Sequence, residues 1–203
     1  MSPRVQSIAV AGRAAAAIHV LPFAVCDEAG TIAQAPCTPI TIKYSPQDAG
    51  TNSCGVDSTS ANFGVLRLGD NTGSDDYRDT VVNRYGGTLR VGDCVSTETG
   101  NMNGPTKQAV LERIAGIPPY VCTVNPPSPP PKNARMIILP KVSNLNVNGS
   151  GQVCITGFYV AVLDSVDDKA NVQARFLSVF ASDQVDPGTT MTPGVLSGVG
   201  LVK

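Results

Sequence analysis

Two apolar, β-branched runs, Arg135 to Leu139 (RMIIL) and Gln152 to Leu163 (QVCITGFYVAVL), constrain this chain more than any other feature. Runs so rich in Val, Ile and aromatic residues suit central strands, whose pleated surfaces they fill on both sides. They predict the core of the fold. A single domain is expected around them, because 203 residues with 42% hydrophobic and only 15% charged side chains can bury a sizeable core and lack the charge that sustains disorder.

Shorter signals flank the core. In Pro39 to Tyr44 (PITIKY), Ile40 and Ile42 alternate with Thr41 and Lys43, the period of a half-buried strand. Phe63 to Leu68 and Thr88 to Val95 read as strands too, and so does Asn171 to Ser182, where Val172, Ala174 and Phe176 alternate with Gln173, Arg175 and Leu177. Asp75 to Tyr85 opens on carboxylates, repeats Tyr77, Val81 and Tyr85 at helical spacing, and stops at Gly86-Gly87. Those are a helix's start and stop signals. A second helix is expected over Thr106 to Ile114, after a turn at Thr99 to Pro105 and before a capping Gly116. The fold class is therefore mainly β with two short helices, an α+β domain with a mixed or antiparallel sheet and long loops.

Two of those loops are explicit. Ser45 to Ser60 is a polar Gly/Ser/Asn/Asp run, and Pro118 to Asn133 carries so many prolines that neither ladder nor helix can form. The expected organisation is an N-terminal strand or the end of an upstream region over 1–25, a β-rich domain over 26–185, and a flexible Gly/Pro/Thr tail over 186–203. Ser7 to Val25 is apolar but interrupted by Arg13 and His19, which makes it a poor spanning helix and a poor signal peptide.

Six cysteines, Cys26, Cys37, Cys54, Cys94, Cys122 and Cys154, form an even set with no CxxC pair, and His19 is the one histidine. Zinc is disfavoured by that inventory. Structural disulfides in an oxidising, extracytoplasmic compartment are the expected use, with Cys26 and Cys37 the guessed pair because they close a short Pro-containing loop. The near-balance of 15 basic and 16 acidic residues provides no field to draw in nucleic acid or an anionic membrane.

Few residues offer chemistry. The densest polar constellation runs from Asp70 and Asn71 through Thr72, Gly73 and Ser74 to Asp75 and Asp76, with Asp79 one turn beyond. Oxygen ligands on a Gly-containing loop suit calcium, so Asp70, Asn71, Asp75 and Asp76 form a candidate calcium site, although no Glu closes an EF-hand loop. The plainer account is an acidic turn that caps the following helix. Asp93, Glu98 and Asn101 join that site only if the fold brings a second turn beside it. A hydrolase needs a nucleophile, base and orienting group together, and His19 lies in an Ala-rich apolar segment that suits a core or edge position. No phosphate-binding loop is present, and the chain lacks Trp for sugar subsites. No enzymatic activity is expected.

One stretch carries a family resemblance. From Asn62 to Ile114 the order NFG-x-L-x-L-G, DYRD, GG-x-L-x-VGD-x-V-x-TE-x-GNM-x-GPT-x-Q-x-V-x-x-RI resembles the outer region of bacterial TadE/TadG-like proteins, the Flp (tight adherence) pilus-assembly family. Ile8 to Val25, the RMIIL strand and the following GF strand extend the likeness. The resemblance implies a non-catalytic extracytoplasmic structural or accessory subunit, with pilus or secretion-machinery proteins as partners and self-association open to it. It also implies a membrane anchor upstream of the region matched here. The alternative expectation is a secreted or cell-surface binding module stabilised by calcium.

Overall fold

The computed structural model describes residues 16–26, 37–45, 63–69, 73–98, 100, 102–123, 131–145, 147 and 150–177. The expected tail over 186–203, most of the Ser45 to Ser60 loop, the middle of the proline run, Cys54, Asp70 and Asn71 lie outside those residues.

The two apolar runs form the centre of the sheet. β6 (Met136–Val142) and β7 (Gln152–Val166) pair antiparallel from Met136↔Val162 to Val142↔Ile155. β8 (Val172–Leu177) returns antiparallel on β7, and β3 (Pro39–Lys43) pairs with β8 at the sheet's edge. β2 (Val25–Cys26) lies parallel to β6 at the opposite edge, which makes the sheet mixed, and β5 (Cys94–Ser96) pairs with the start of β7. A separate pair joins β1 (Ala16–Ala17) to β4 (Leu89–Arg90). The chain is a mainly-β α+β domain.

β7 changes character along its length. Val153 and Ile155 are buried while Cys154 and Thr156 are exposed, but every residue from Gly157 to Leu163 is buried. The half-buried alternation ends where both faces of the sheet acquire cover. On one face α1 (Ser74–Asn83) and α2 (Asn103–Ile114) lay Tyr77, Val81, Ala109 and Val110 against Ile137, Leu139, Tyr159, Ala161 and Phe176. On the other, Tyr120 and Cys122 from the extended segment after α2 pack over Val160, Val162 and Leu177.

Local sequence accounts for the helix ends, with adjustments. α1 stops at Asn83, before Gly86, because Arg84 takes a positive φ of 71° and Tyr85 leaves to bridge Val20. α2 starts ahead of Thr106, at Asn103, after a left-handed Met102, and Gly116 takes the positive φ expected of a cap. The expected strand over Thr88 to Val95 is two strands: Gly92 turns at φ 97° and the Asp93 carboxylate accepts the Arg90 N–H at 2.7 Å, closing a turn between β4 and β5. Phe63 to Leu68 contributes only the isolated bridges Phe23↔Val65 and Leu66↔Thr97.

The guessed Cys26–Cys37 bond does not form. Cys37 is bonded to Cys122 with Cα atoms 5.7 Å apart, and Cys94 to Cys154 at 4.0 Å; Cys26 is disulfide-bonded elsewhere. Cys26 ends β2 and Cys37 leads into β3, on opposite edges of the β2-β6-β7-β8-β3 order. Four strand spacings, roughly 19 Å, separate those edges, far beyond a disulfide's reach.

Gly64 holds the crossing near β3 at φ +85°, where a Cβ would stand 2.9 Å from the Ile42 carbonyl oxygen. Left-handed strain and a backbone clash act together at this position. Gly64→Ala is expected to lower stability by about 2 kcal/mol, read as a lower urea midpoint at unchanged slope.

Candidate functional site

The start of α1 faces a cleft. Its walls are Pro22, the Leu66–Leu68 segment, Glu98, and Gly73, Asp76, Tyr77 and Thr80 from α1. Backbone bonds set these walls: Leu66 N–H donates to Pro22, Arg67 N–H to Ser96 and Glu98 N–H to Val65. Two sequence-distant segments are thereby locked side by side, which brings Arg67 and Glu98 together across 31 positions.

Their side chains form a forked ion pair. Arg67 Nε donates to Glu98 Oε2 at 3.0 Å and Nη2 to Oε1 at 3.1 Å. The Glu98 side chain is only 9% exposed, so its charge needs this partner. The Glu98 hydrogen bond, and then its charge, hold the Arg67 guanidinium above its ordinary range. Both carboxylate oxygens are engaged. Beneath the cleft the Tyr77 hydroxyl and the Thr106 hydroxyl share a hydrogen bond of 2.8 Å, and burial pushes the Tyr77 phenol well up. Phe23 meets the Tyr77 ring edge-on at 6.3 Å. Tyr77→Phe leaves Thr106 buried without that partner, and a loss of about 1 kcal/mol is expected in chemical denaturation.

The sequence-proposed site residues divide. Asp75 and Asp76 form the acidic first turn of α1, Asp75 exposed and Asp76 on the cleft wall. Glu98 does come to the same cleft as Asp76, whereas Asp93 closes the β4–β5 turn. Asn101 is outside the described residues. Among the described residues, no group of three His, Cys, Asp or Glu side chains is placed to hold a metal ion. His19 occupies an exposed turn at φ 57°, an edge position and not a core one.

The buried cations carry little signal in the sequence. Lys43, Arg113 and Arg135 are all buried, and each is tied to backbone or amide oxygens. The available signal was a single basic residue inside an apolar or helical pattern, as in TIKY and NARMIIL. Such a residue is either a solvent-facing alternate or a buried anchor, and only the register decides.

The architecture and its long-range disulfides define a disulfide-clamped α+β domain of the kind found in oxidising compartments. Among the described residues no helix is long and apolar enough to cross a membrane. Comparison with protein-family models, with curated proteins and with solved structures found no match to this chain.

Proposed function

We propose that this chain is a non-catalytic extracytoplasmic structural or accessory subunit of a Flp/Tad-type pilus assembly. The observation that carries the reading is what the residues of the TadE/TadG-like motif do in the fold: they hold one another. Arg67 of the NFGVLRLG segment grips Glu98 of the TE element, and Tyr77 of DYRD bonds Thr106 of GPT. Arg78 of DYRD pairs with Glu112, and Arg113 of the RI pair donates to the Val81 and Val82 carbonyls at the end of α1. Motif polarity spent on mutual support, with both oxygens of the cleft's buried carboxylate occupied, suits a scaffold better than a reaction centre. The test is crosslinking in cells of the natively expressed protein, with mass spectrometry of captured partners. Recovery of pilin subunits or secretion-channel components supports the assembly role; recovery of cytosolic proteins alone, with reduced cysteines, sinks it.

A second reading, a secreted or surface binding module stabilised by calcium, draws on Asp76 facing the cleft beside Glu98. Calcium binding to the native state alone raises the melting temperature by mass action. A melting curve that moves upward with calcium and back with chelator favours the module; coincident curves remove the calcium claim.

A further inference from the structure

The disulfides differ in what surrounds them. Cys94 and Cys154 are both exposed, whereas Cys37 and Cys122 are half-buried and Cys26 is 4% exposed. Cys94 and Cys154 also stand directly opposite each other in the antiparallel β5–β7 pair. The backbone bonds that flank them run from Ile155 N–H to Asp93 and from Thr97 N–H to Gly151. Alternation along the ladder makes Cys94/Cys154 a non-hydrogen-bonded pair, the arrangement in which opposed Cα atoms sit closest. Their separation of 4.0 Å lies below the range disulfides usually adopt. An exposed bond whose ends are fixed by the register of a sheet is the kind most open to thiol attack.

We propose that Cys94–Cys154 is a thiol–disulfide exchange site for a dithiol partner, independent of the assembly role. A partner thiolate attacks one sulfur; the Cys94–Cys154 bond breaks, a mixed disulfide forms, and the displaced cysteine leaves as a thiolate that takes up a proton. The partner's second thiol then gives up its proton and attacks the partner's first sulfur; the mixed disulfide breaks, and the remaining cysteine leaves as a thiolate that takes up a proton. Cys94 and Cys154 end as two thiols, and the partner ends as a disulfide, having supplied both electrons.

The exchange has a structural reader. β5 is three residues long and is held by β7 on one side and by the Arg67 N–H to Ser96 bond on the other. Glu98 follows two residues later and carries the ion pair at the cleft. Reduction removes the covalent link between β5 and β7, leaving the Arg67–Glu98 wall on a short hydrogen-bonded ladder.

The test uses the oxidised full chain in native buffer with graded dithiothreitol, quenched with N-ethylmaleimide and read by peptide mass spectrometry. Cys94 and Cys154 are expected to label at least about tenfold faster than Cys37 and Cys122 while the circular dichroism spectrum holds. Equal rates at all these cysteines, earlier labelling of Cys37 and Cys122, or loss of the spectrum together with the first labelling overturns the proposal. In the Cys94→Ser/Cys154→Ser variant the fast phase should vanish with Cys37–Cys122 still oxidised; a fast phase that persists at the remaining cysteines also overturns it. The wild-type labelling order stands as a test even if that variant fails to fold.

Discussion

Arg135→Met is expected to lower the stability of the domain by about 4 kcal/mol. Arg135 is 4% exposed at the entry to β6, where its guanidinium ties three places in the chain together. Nε and Nη2 donate to the Ile117 carbonyl just past α2, at 3.1 and 2.8 Å. Nη1 donates to Leu163 and Asp164 on β7, at 3.0 and 2.9 Å. The Asp164 carboxylate is committed to Arg175, so backbone oxygens do much of the work of accommodating the Arg135 charge. Methionine keeps the stem and its packing but withdraws every donor, leaving carbonyls at a buried junction with no replacement. Charged hydrogen bonds are each worth about 1.5–3 kcal/mol net, and they are not additive, which sets the estimate. Arg135→Lys keeps the charge without the fork and should recover about half of the loss. Urea denaturation of both variants is the measurement; a loss below about 1 kcal/mol for the methionine variant would mean that water re-satisfies the carbonyls and that the anchor is dispensable.

The parts of the fold that local chemistry decides were legible, and the parts that register decides were not. RMIIL and QVCITGFYVAVL could hardly be anything but a central strand pair, and they form β6 and β7. The alternation of Val172, Ala174 and Phe176 with Gln173 and Arg175 survives as buried and partly buried positions along β8. Both helices appear where carboxylates, periodicity and glycine placed them, within a few residues. The disulfide partners were hidden because Cys37 and Cys122 are 85 residues apart in sequence and meet only after the sheet order is set. For the same reason the Arg67–Glu98 pair could not be read: its members sit on segments 31 positions apart that come side by side through backbone bonds between them, Arg67 N–H to Ser96 and Glu98 N–H to Val65. The sequence offers Glu98 as a candidate and not Arg67, because an acidic residue on a turn advertises ligand chemistry while a lone arginine between leucines reads as a solvent-facing alternate.

Lys43 departs from the alternation of its strand, and its burial governs how the stability of the domain changes with pH. Alternation in PITIKY put Lys43 on the outer face with Thr41, but the β3–β8 register slips between Thr41 and Lys43. That bulge re-aims the side chain inward. Lys43 is fully buried, its ammonium donating to Asn103 Oδ1 at 2.6 Å in the first turn of α2. Around it, Asn171 accepts the Ser45 N–H and donates to Asp167, whose charge favours the ammonium form. Burial outweighs that attraction and lowers the Lys43 pKa from 10.5 to about 8. Between those values the native lysine is neutral while the unfolded one still holds its proton, so the unfolded state binds more protons and stability rises with pH. The gain from about pH 8 to about pH 10.5 is on the order of 3 kcal/mol. Tyr44 then acts in the opposite direction. Burial raises its pKa from 10.0 to about 12, so the unfolded tyrosine ionises first and stability falls above about pH 10. Tyr77, also raised by burial, adds to that fall. The domain should therefore be most stable near pH 10, unlike the near-neutral optimum common among proteins. Lys43→Met should flatten the rise between pH 8 and 10. Below pH 8 it should stabilise the fold by about 2 kcal/mol, the burial penalty removed less the loss of the Lys43–Asn103 hydrogen bond. Urea midpoints across that range decide the matter: a rise that persists unchanged in the methionine variant would place the responsible proton on another group, and a flat wild-type profile would mean that Lys43 keeps its charge in the folded state.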